Sequence, residues 1–284
     1  MPLTELVNTL NSPHVRKTPS IFRYSGLEHP FVAADGRVFI HYAGIRLESK
    51  FLPIVNTVSG AFHGHASTIQ AFGLANNIPM MPEAVFVLPS DDEEFVHLDR
   101  LVRTLHALNY LTRPTRGNLL LRVHPRHILS VPANHGLAFE EILRPSGLFP
   151  DQITLEIDTD TDAVENSAHF VHAIASYRSR GYSIAVSNFG RTQLDFGFLR
   201  EIQPDIVKLS PFLLGSSRPL GRIIDNIHKL QARVLIEGID TGKLCQSAAD
   251  LDVDLLQAHT TDHRTKDENS STTGAGQPGI RDAA

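Results

Sequence analysis

Polar residues recur at one kind of place in this chain, the end of a short apolar run. Arg122 ends NLLLR, Glu156 ends ITLE, and Ser187 with Asn188 ends SIAVSN. Lys208 ends DIVK, Glu237 ends RVLIE and Gln257 ends DLLQ. If those runs are strands of a closed parallel sheet, their C-terminal ends meet at one mouth, where such barrels place their chemistry. A divalent cation needs several oxygen donors, and hydrolysis by two metals needs them around two centres about 3.5–4 Å apart. The strand ends supply two carboxylates, Glu156 and Glu237, with Asp158 and Asp240 shortly after. Arg122 and Lys208 share the same mouth. That mixture predicts an internally neutralised ion network more than a metal cage.

The elements that must position these residues follow from the apolar pattern. FLPIV (51–55), AVFVL (84–88), NLLLRV (118–123), ITLEI (153–157), SIAVS (183–187), DIVKL (205–209), RVLIE (233–237) and DLLQA (254–258) read as strands. The segment 93–111 puts Phe95, Leu98, Leu101, Val102, Leu105 and Leu108 on one helical face. AFEEILRPSG reads as a short helix. A helix over 163–180 stops at Gly181, a candidate left-handed cap. Further helices read at 193–202, 221–230 and 241–251. Strands alternating with helices imply parallel βαβ units, and their number fits a TIM-like (β/α)8 barrel. A doubly wound open sheet is the alternative.

The 284 residues carry 26 basic and 31 acidic side chains, a formal charge of −5, and 42% are apolar. A mildly acidic chain has no global pull on phosphate backbones, so no nucleic-acid partner is expected. One cysteine, Cys245, excludes an internal disulfide and a thiolate metal cage. We read it as a small buried residue. No apolar run approaches the roughly 20 residues that span a bilayer, and MPLTELVNTL lacks a secretory pattern. We therefore expect a cytoplasmic chain with no membrane partner. Residues 1–37 read as a poorly periodic N-terminal extension, 38–262 as the barrel domain, and 263–284 as a disordered tail too poor in apolar residues to fold.

At these residues the chain resembles the EAL domain family, bacterial cyclic-di-GMP phosphodiesterases and their inactive relatives. FLPIV is similar to the family's "QPIV" strand, and SGAFHGHASTIQ aligns with the stretch holding Glu-Ala-Leu. LLLRVHPRHIL resembles the "NLSP" strand, ITLEIDTDT "LEITES", and IAVSNFGRT "ALDDFGTG". PDIVKLSP resembles "VDILKID", VLIEGIDT "AEGVET", and DLDVDLLQA "CDYLQG". The segments come in family order from about Val38 to His263. The resemblance implies a TIM-like barrel. It also implies magnesium or manganese as cofactor, if the phosphodiesterase chemistry is kept.

The family's functional positions are carried over unevenly. Glu156, Lys208, Glu237 and Gln257 are retained. The motif Glu falls on Ala66, the metal-binding Asn on Arg122, and the paired Asp residues on Ser187 and Asn188. The opening Gln falls on Leu52, the Arg after the name motif on Gln70, and the last Glu of "AEGVE" on Asp240. Up to three negative charges are thereby lost, which leaves Glu156 a vestigial ligand. We expect no resident metal, no catalytic residue and no meaningful phosphodiesterase activity. We expect Arg122, helped by Lys208, to replace the metal's charge at Glu156, because a buried unpaired carboxylate is costly and a guanidinium pairs with it well.

The leading reading is a regulator in cyclic-di-GMP-linked signalling that works through protein–protein contact, with an unknown partner and an undetermined oligomeric state. One alternative is a receptor that binds cyclic-di-GMP without cleaving it, using Glu237, Gln257 and Pro204. The other is a divergent phosphodiesterase with ligands drawn from Asp158, Asp240 and Asp262. The histidines of HGH (His63, His65) and HPRH (His124, His127) lack an apparent third ligand and read as solvated or core residues. The run Asp91–Glu94 reads as charge complementing a helix N-terminus. Phe189-Gly190 keeps one pair of a loop that couples to dimer contacts in the family.

Overall fold

The computed structural model describes residues 3–12, 30–114, 117–158, 167–210, 212–213, 219–238 and 248–258. The elements in chain order are α1 (Leu3–Leu10), β1 (Phe31–Ala34), β2 (Arg37–Tyr42), β3 (Ile45–Asn56), β4 (Phe62–Gly73), β5 (Pro79–Met80) and α2 (Asp92–Tyr110). Next come β6 (Asn118–Val123), α3 (Pro125–Ser130), α4 (Leu137–Ser146), β7 (Ile153–Asp158), α5 (Ser167–Ser179) and β8 (Ser183–Phe189). The last are α6 (Phe196–Ile202), β9 (Ile206–Leu209), α7 (Leu220–His228), β10 (Arg233–Glu237) and β11 (Leu255–Gln257). The sheet order β3-β11-β10-β9-β8-β7-β6-β4, with β3 also bonded to β4, closes an eight-stranded TIM-like barrel. β1 and β2 extend the sheet from β3, and β5 extends it from β4.

Three expectations need correction. The barrel is not all parallel: β3 runs antiparallel to both β4 and β11. Only residues 57–61 join β3 to β4, and a parallel connection needs a crossover of a dozen residues or more. Asn56 holds that tight turn by accepting from the backbone N–H of Val58 and Ser59 at 3.1 and 2.8 Å.

Second, AVFVL is not a strand. Residues Pro82–Val87 form a 3-10 helix, with Val85 buried but Val87 and Leu88 exposed. Pro82 at its first turn fixes a helical φ and removes a donor a strand would need. The barrel strand in that part of the chain is instead β4, whose polar composition hid it. Gly64 lies where β4 meets β6, and a Cβ there would come within 1.9 Å of the Asn118 carbonyl oxygen. The backbones approach that closely because the residue is glycine.

Third, the N-terminal extension is not without periodicity. α1 buries Leu6, Val7 and Leu10 against β1, β2 and α2, in a core with Phe31, Val38 and Leu98. Asn11 ties its end down by donating to the Phe31 carbonyl at 2.8 Å. α2 begins at the cap Asp91, which accepts from the Glu94 N–H at 2.8 Å. α5 ends before Gly181, whose φ of +94° is the left-handed conformation glycine tolerates. Most of 241–251, with Asp240, Cys245, Asp262 and the tail, lies outside the described residues. Among the described residues no helix is long and apolar enough to cross a membrane.

Around the barrel wall the apolar core has two concentric parts. Alternate strand residues such as Leu119, Leu121, Ile153, Leu155 and Ile184 pack outward on the helices. The residues between them fill the barrel: Ile54, Ala66, Leu120, Ala185, Ile206, Leu235 and Leu255. Side chains alternate faces along a strand, so the residue two positions beyond an interior one also faces inward, one layer nearer the mouth.

Candidate functional site

That two-residue step converts the interior layer into the site. From Leu120 it reaches Arg122, from Ala185 Ser187, from Ile206 Lys208, from Leu235 Glu237, and from Leu255 Gln257. Glu156 stands beside Arg122 in register, and Glu237 beside Gln257. The barrel thus brings together every strand-end residue that the sequence singled out. Ala66 belongs to the layer below, where its methyl group packs in the barrel interior opposite Leu52. Gln70 lies exposed on the part of β4 that continues past the barrel.

Lys208 is the centre of the mouth. Its Nζ lies 2.7 Å from Glu237 Oε2 and 3.5 Å from Glu156 Oε1. Glu156 and Lys208 are each 8% exposed. Burial pulls the ammonium's pKa down, but the two carboxylates and their hydrogen bonds outweigh it, so the pKa ends above the ordinary lysine value. Gln257 Nε2 lies 3.5 Å from Glu237 Oε2, a distance at which a hydrogen bond is weak.

Arg122 does not pair with Glu156. Its guanidinium reaches past the carboxylate that Lys208 holds and bonds Asp158 Oδ2 at 2.7 Å. The same oxygen accepts from Asn188 Nδ2 at 2.7 Å. Asp158 is buried, while the Arg122 side chain is 57% exposed, so this pair forms the rim and not the floor. Asn188 reaches it from a left-handed conformation (φ +57°) at a slip in the β8–β9 register between Val186 and Phe189. Irregularities of this kind re-aim a side chain, and asparagine tolerates the backbone angle. Because one partner is solvated, Arg122→Ala is expected to lower stability by less than about 1 kcal/mol in urea titration. A loss above about 2 kcal/mol would mean that the pair is buried in solution.

The histidine motifs serve structure. His65 sits among Phe51, Phe62 and Tyr110, with ring centroids 4.9–6.1 Å away. Burial, reinforced by Arg113, pushes its pKa down to about 4. His124 caps α3, its Nδ1 accepting from the Arg126 N–H at 3.1 Å. His127 belongs to a buried network that sequence reasoning missed. Arg103 Nη2 and His127 Nδ1 reach Asp99 Oδ2 at 2.8 and 3.0 Å. The Asp99–Arg103 spacing of four on a helix was its signal. Among the described residues no three His, Cys, Asp or Glu side chains are grouped so that they could hold a metal ion.

This architecture has clear relatives. Residues 43–257 match the EAL domain family, and the chain belongs to it. Over 160 residues it is 28% identical to the blue light- and temperature-regulated antirepressor BluF of Escherichia coli strain K12. That alignment covers 55% of this chain and 36% of BluF, so the chain spans about a third of this curated relative. The Klebsiella pneumoniae BlrP1 complex with manganese and cyclic-di-GMP superposes with a TM-score of 0.63 at 18% identity, over 75% of this chain and 54% of that one. A standalone EAL protein of Vibrio cholerae O395 in its cyclic-di-GMP-bound form gives 0.60 at 18%, over 75% and 89%. At such identities the structures speak for the fold.

Proposed function

We propose that this chain is a non-catalytic EAL domain of bacterial cyclic-di-GMP-linked signalling that regulates through protein–protein contact in the cytoplasm. The carrying observation is that every described carboxylate of the mouth already has a cation on it: Lys208 on Glu156 and Glu237, Arg122 on Asp158. The three carboxylates bring three negative charges and the two cations cancel two, which leaves one to hold a pair of dications. Near-octahedral magnesium, or two ions sharing a bridging water, needs more anionic oxygen than that. Ala66, Ser187 and Asn188 add no charge. The donor set therefore does not fit the family's metals, and no hydrolytic step is derived through them. The relative BluF is named an antirepressor, a regulatory role in keeping with this reading.

Calorimetric titration of the chain with cyclic-di-GMP, with and without manganese, tests the proposal. No heat and no linear product are expected. Metal-independent heat would instead make the domain a non-hydrolysing receptor working through Glu237 and Gln257. Manganese-dependent linear product would make it a divergent phosphodiesterase.

A further inference from the structure

Outside the barrel wall, a groove of about 360 Å³ runs between α2 and the 3-10 helix Pro82–Val87. Ile69, Phe86, Val87 and Phe95 give it an apolar floor and side. The apolar surface does not stop at its edge. Ile78, Met81 and Val87, along β5 and the 3-10 helix, are 58%, 73% and 78% exposed. Isolated exposed apolar residues are ordinary, but a run of them beside an apolar groove marks an interaction site. Methionine suits such surfaces because its unbranched side chain adapts to the partner, and two of this chain's three methionines, Met80 and Met81, sit here.

One rim of the groove carries two guanidinium groups, Arg122 and Arg126, both in its lining. Arg126 lies over the Phe95 ring, its guanidinium carbon 4.6 Å from the centroid, and its Nε bonds Asp92 at 2.7 Å. Arg122 and Arg126 remain 57% and 38% exposed. Each has five N–H donors, so outward donors remain for a second acid. Of the acids in the lining, Asp99 is taken by Arg103 and His127, while Glu83 is exposed.

We propose that this groove docks an acidic segment of a partner protein, which lays one bulky apolar side chain against Phe86 and Val87 and sets its carboxylates against Arg122 and Arg126. The proposal rests on the regulatory reading above and names the chemistry of the partner. The exposed strip continues past the groove's lining at Ile78 and Met81, which favours a macromolecule over a small ligand. Neither terminal segment of the chain suits the groove, the first for its charge and the second for its lack of apolar side chains. Residues 13–29 carry Arg16, Lys17 and Arg23 against Glu28, and residues 259–284 hold a single large aliphatic residue, Ile280.

The test is a random 12-residue peptide library displayed on phage and selected on the immobilised full chain. The enriched peptides are then synthesised and measured by fluorescence anisotropy against wild type, Val87→Asp, Arg126→Glu and Arg126→Lys. Val87 is exposed and Arg126 half-buried, and circular dichroism checks that each variant folds. The expected peptides pair a bulky apolar residue with Asp or Glu. They bind Val87→Asp and Arg126→Glu at least about ten-fold more weakly than wild type, and Arg126→Lys within about three-fold. Basic peptides, no enrichment, or affinities indifferent to both disruptive variants would overturn the proposal. So would self-association in sedimentation velocity that Val87→Asp abolishes, because the face would then belong to a second copy. Cyclic-di-GMP turnover is measured on the same samples. Turnover would remove the non-catalytic reading of the mouth, whereas the groove stands or falls on the peptides alone.

Discussion

Replacing Lys208 with methionine is expected to destabilise the fold by about 3 kcal/mol at neutral pH, although methionine fills a similar volume. The loss comes from what stays behind. Glu156 is 8% exposed and Glu237 stands in the same mouth, both facing the ammonium that the variant removes. An ion pair broken from one side leaves an uncompensated buried charge, which is worse than having no pair. The double variant Glu156→Gln/Lys208→Met should regain a substantial part of the loss, because the buried charge is gone. Chemical denaturation of the four members of the cycle reads all of this. Additive losses would show that Lys208 and Glu156 do not interact in solution.

Mild acid is expected to destabilise the wild-type chain steeply. Burial pushes the pKa of His106 down to about 3 and that of His127 down to about 4. Both imidazoles are 4% exposed. Each is therefore neutral in the fold and titrates near 6.5 in the unfolded chain. For a base with a depressed folded pKa, the stabilisation is complete above the unfolded pKa. It drains away as pH falls from about 6.5 towards about 4, because only the unfolded chain takes up the proton. Each group contributes about 1.4 kcal/mol per pH unit across that window, so the two together remove about 4 kcal/mol between pH 7 and pH 5. His65 and His135, whose pKa values burial also lowers to about 4, act in the same direction. Asp99, held below the usual carboxylate range by Arg103 and His127 against the opposing effect of its burial, adds a loss at still lower pH. Urea midpoints measured from pH 7.5 to 5 read the slope. A flat profile would place these rings in water.

Much of this fold was legible, and the misses have identifiable causes. Apolar runs such as NLLLRV and ITLEI, buried on both faces, and the long apolar pattern of α2 were found where they lie. AVFVL has strand composition, yet Pro82 and the exposure of Val87 and Leu88 make it a 3-10 turn. β4 was hidden by its histidines, serines and glycine, since a strand held by backbone pairing on both sides needs little apolar signal. α1 carried a readable signal in the spacing of Leu3, Leu6, Val7 and Leu10 that the mixed composition around it obscured.

The site shows the same division. Strand alternation places Arg122, Glu156, Lys208, Glu237 and Gln257 on one face, and that much follows from parity alone. Which carboxylate each cation takes does not, because it depends on how far a side chain reaches. Lys208 claims Glu156 from two strands away, and Arg122 extends one layer outward to Asp158. Asp158 shares the parity of Glu156, so its inward direction was open to inference. The slip in β8 that brings Asn188 to it was not.

Direct titration of the purified chain with manganese, followed by the loss of the free-ion electron paramagnetic resonance signal, bears most closely on the neutralised mouth. With Lys208 and Arg122 on the carboxylates, the signal should grow linearly from the first addition, with no bound ion at micromolar manganese. Uptake of two ions per chain, abolished by Glu156→Gln, would mean that the cations yield their places to metal and that the mouth is a working hydrolytic centre.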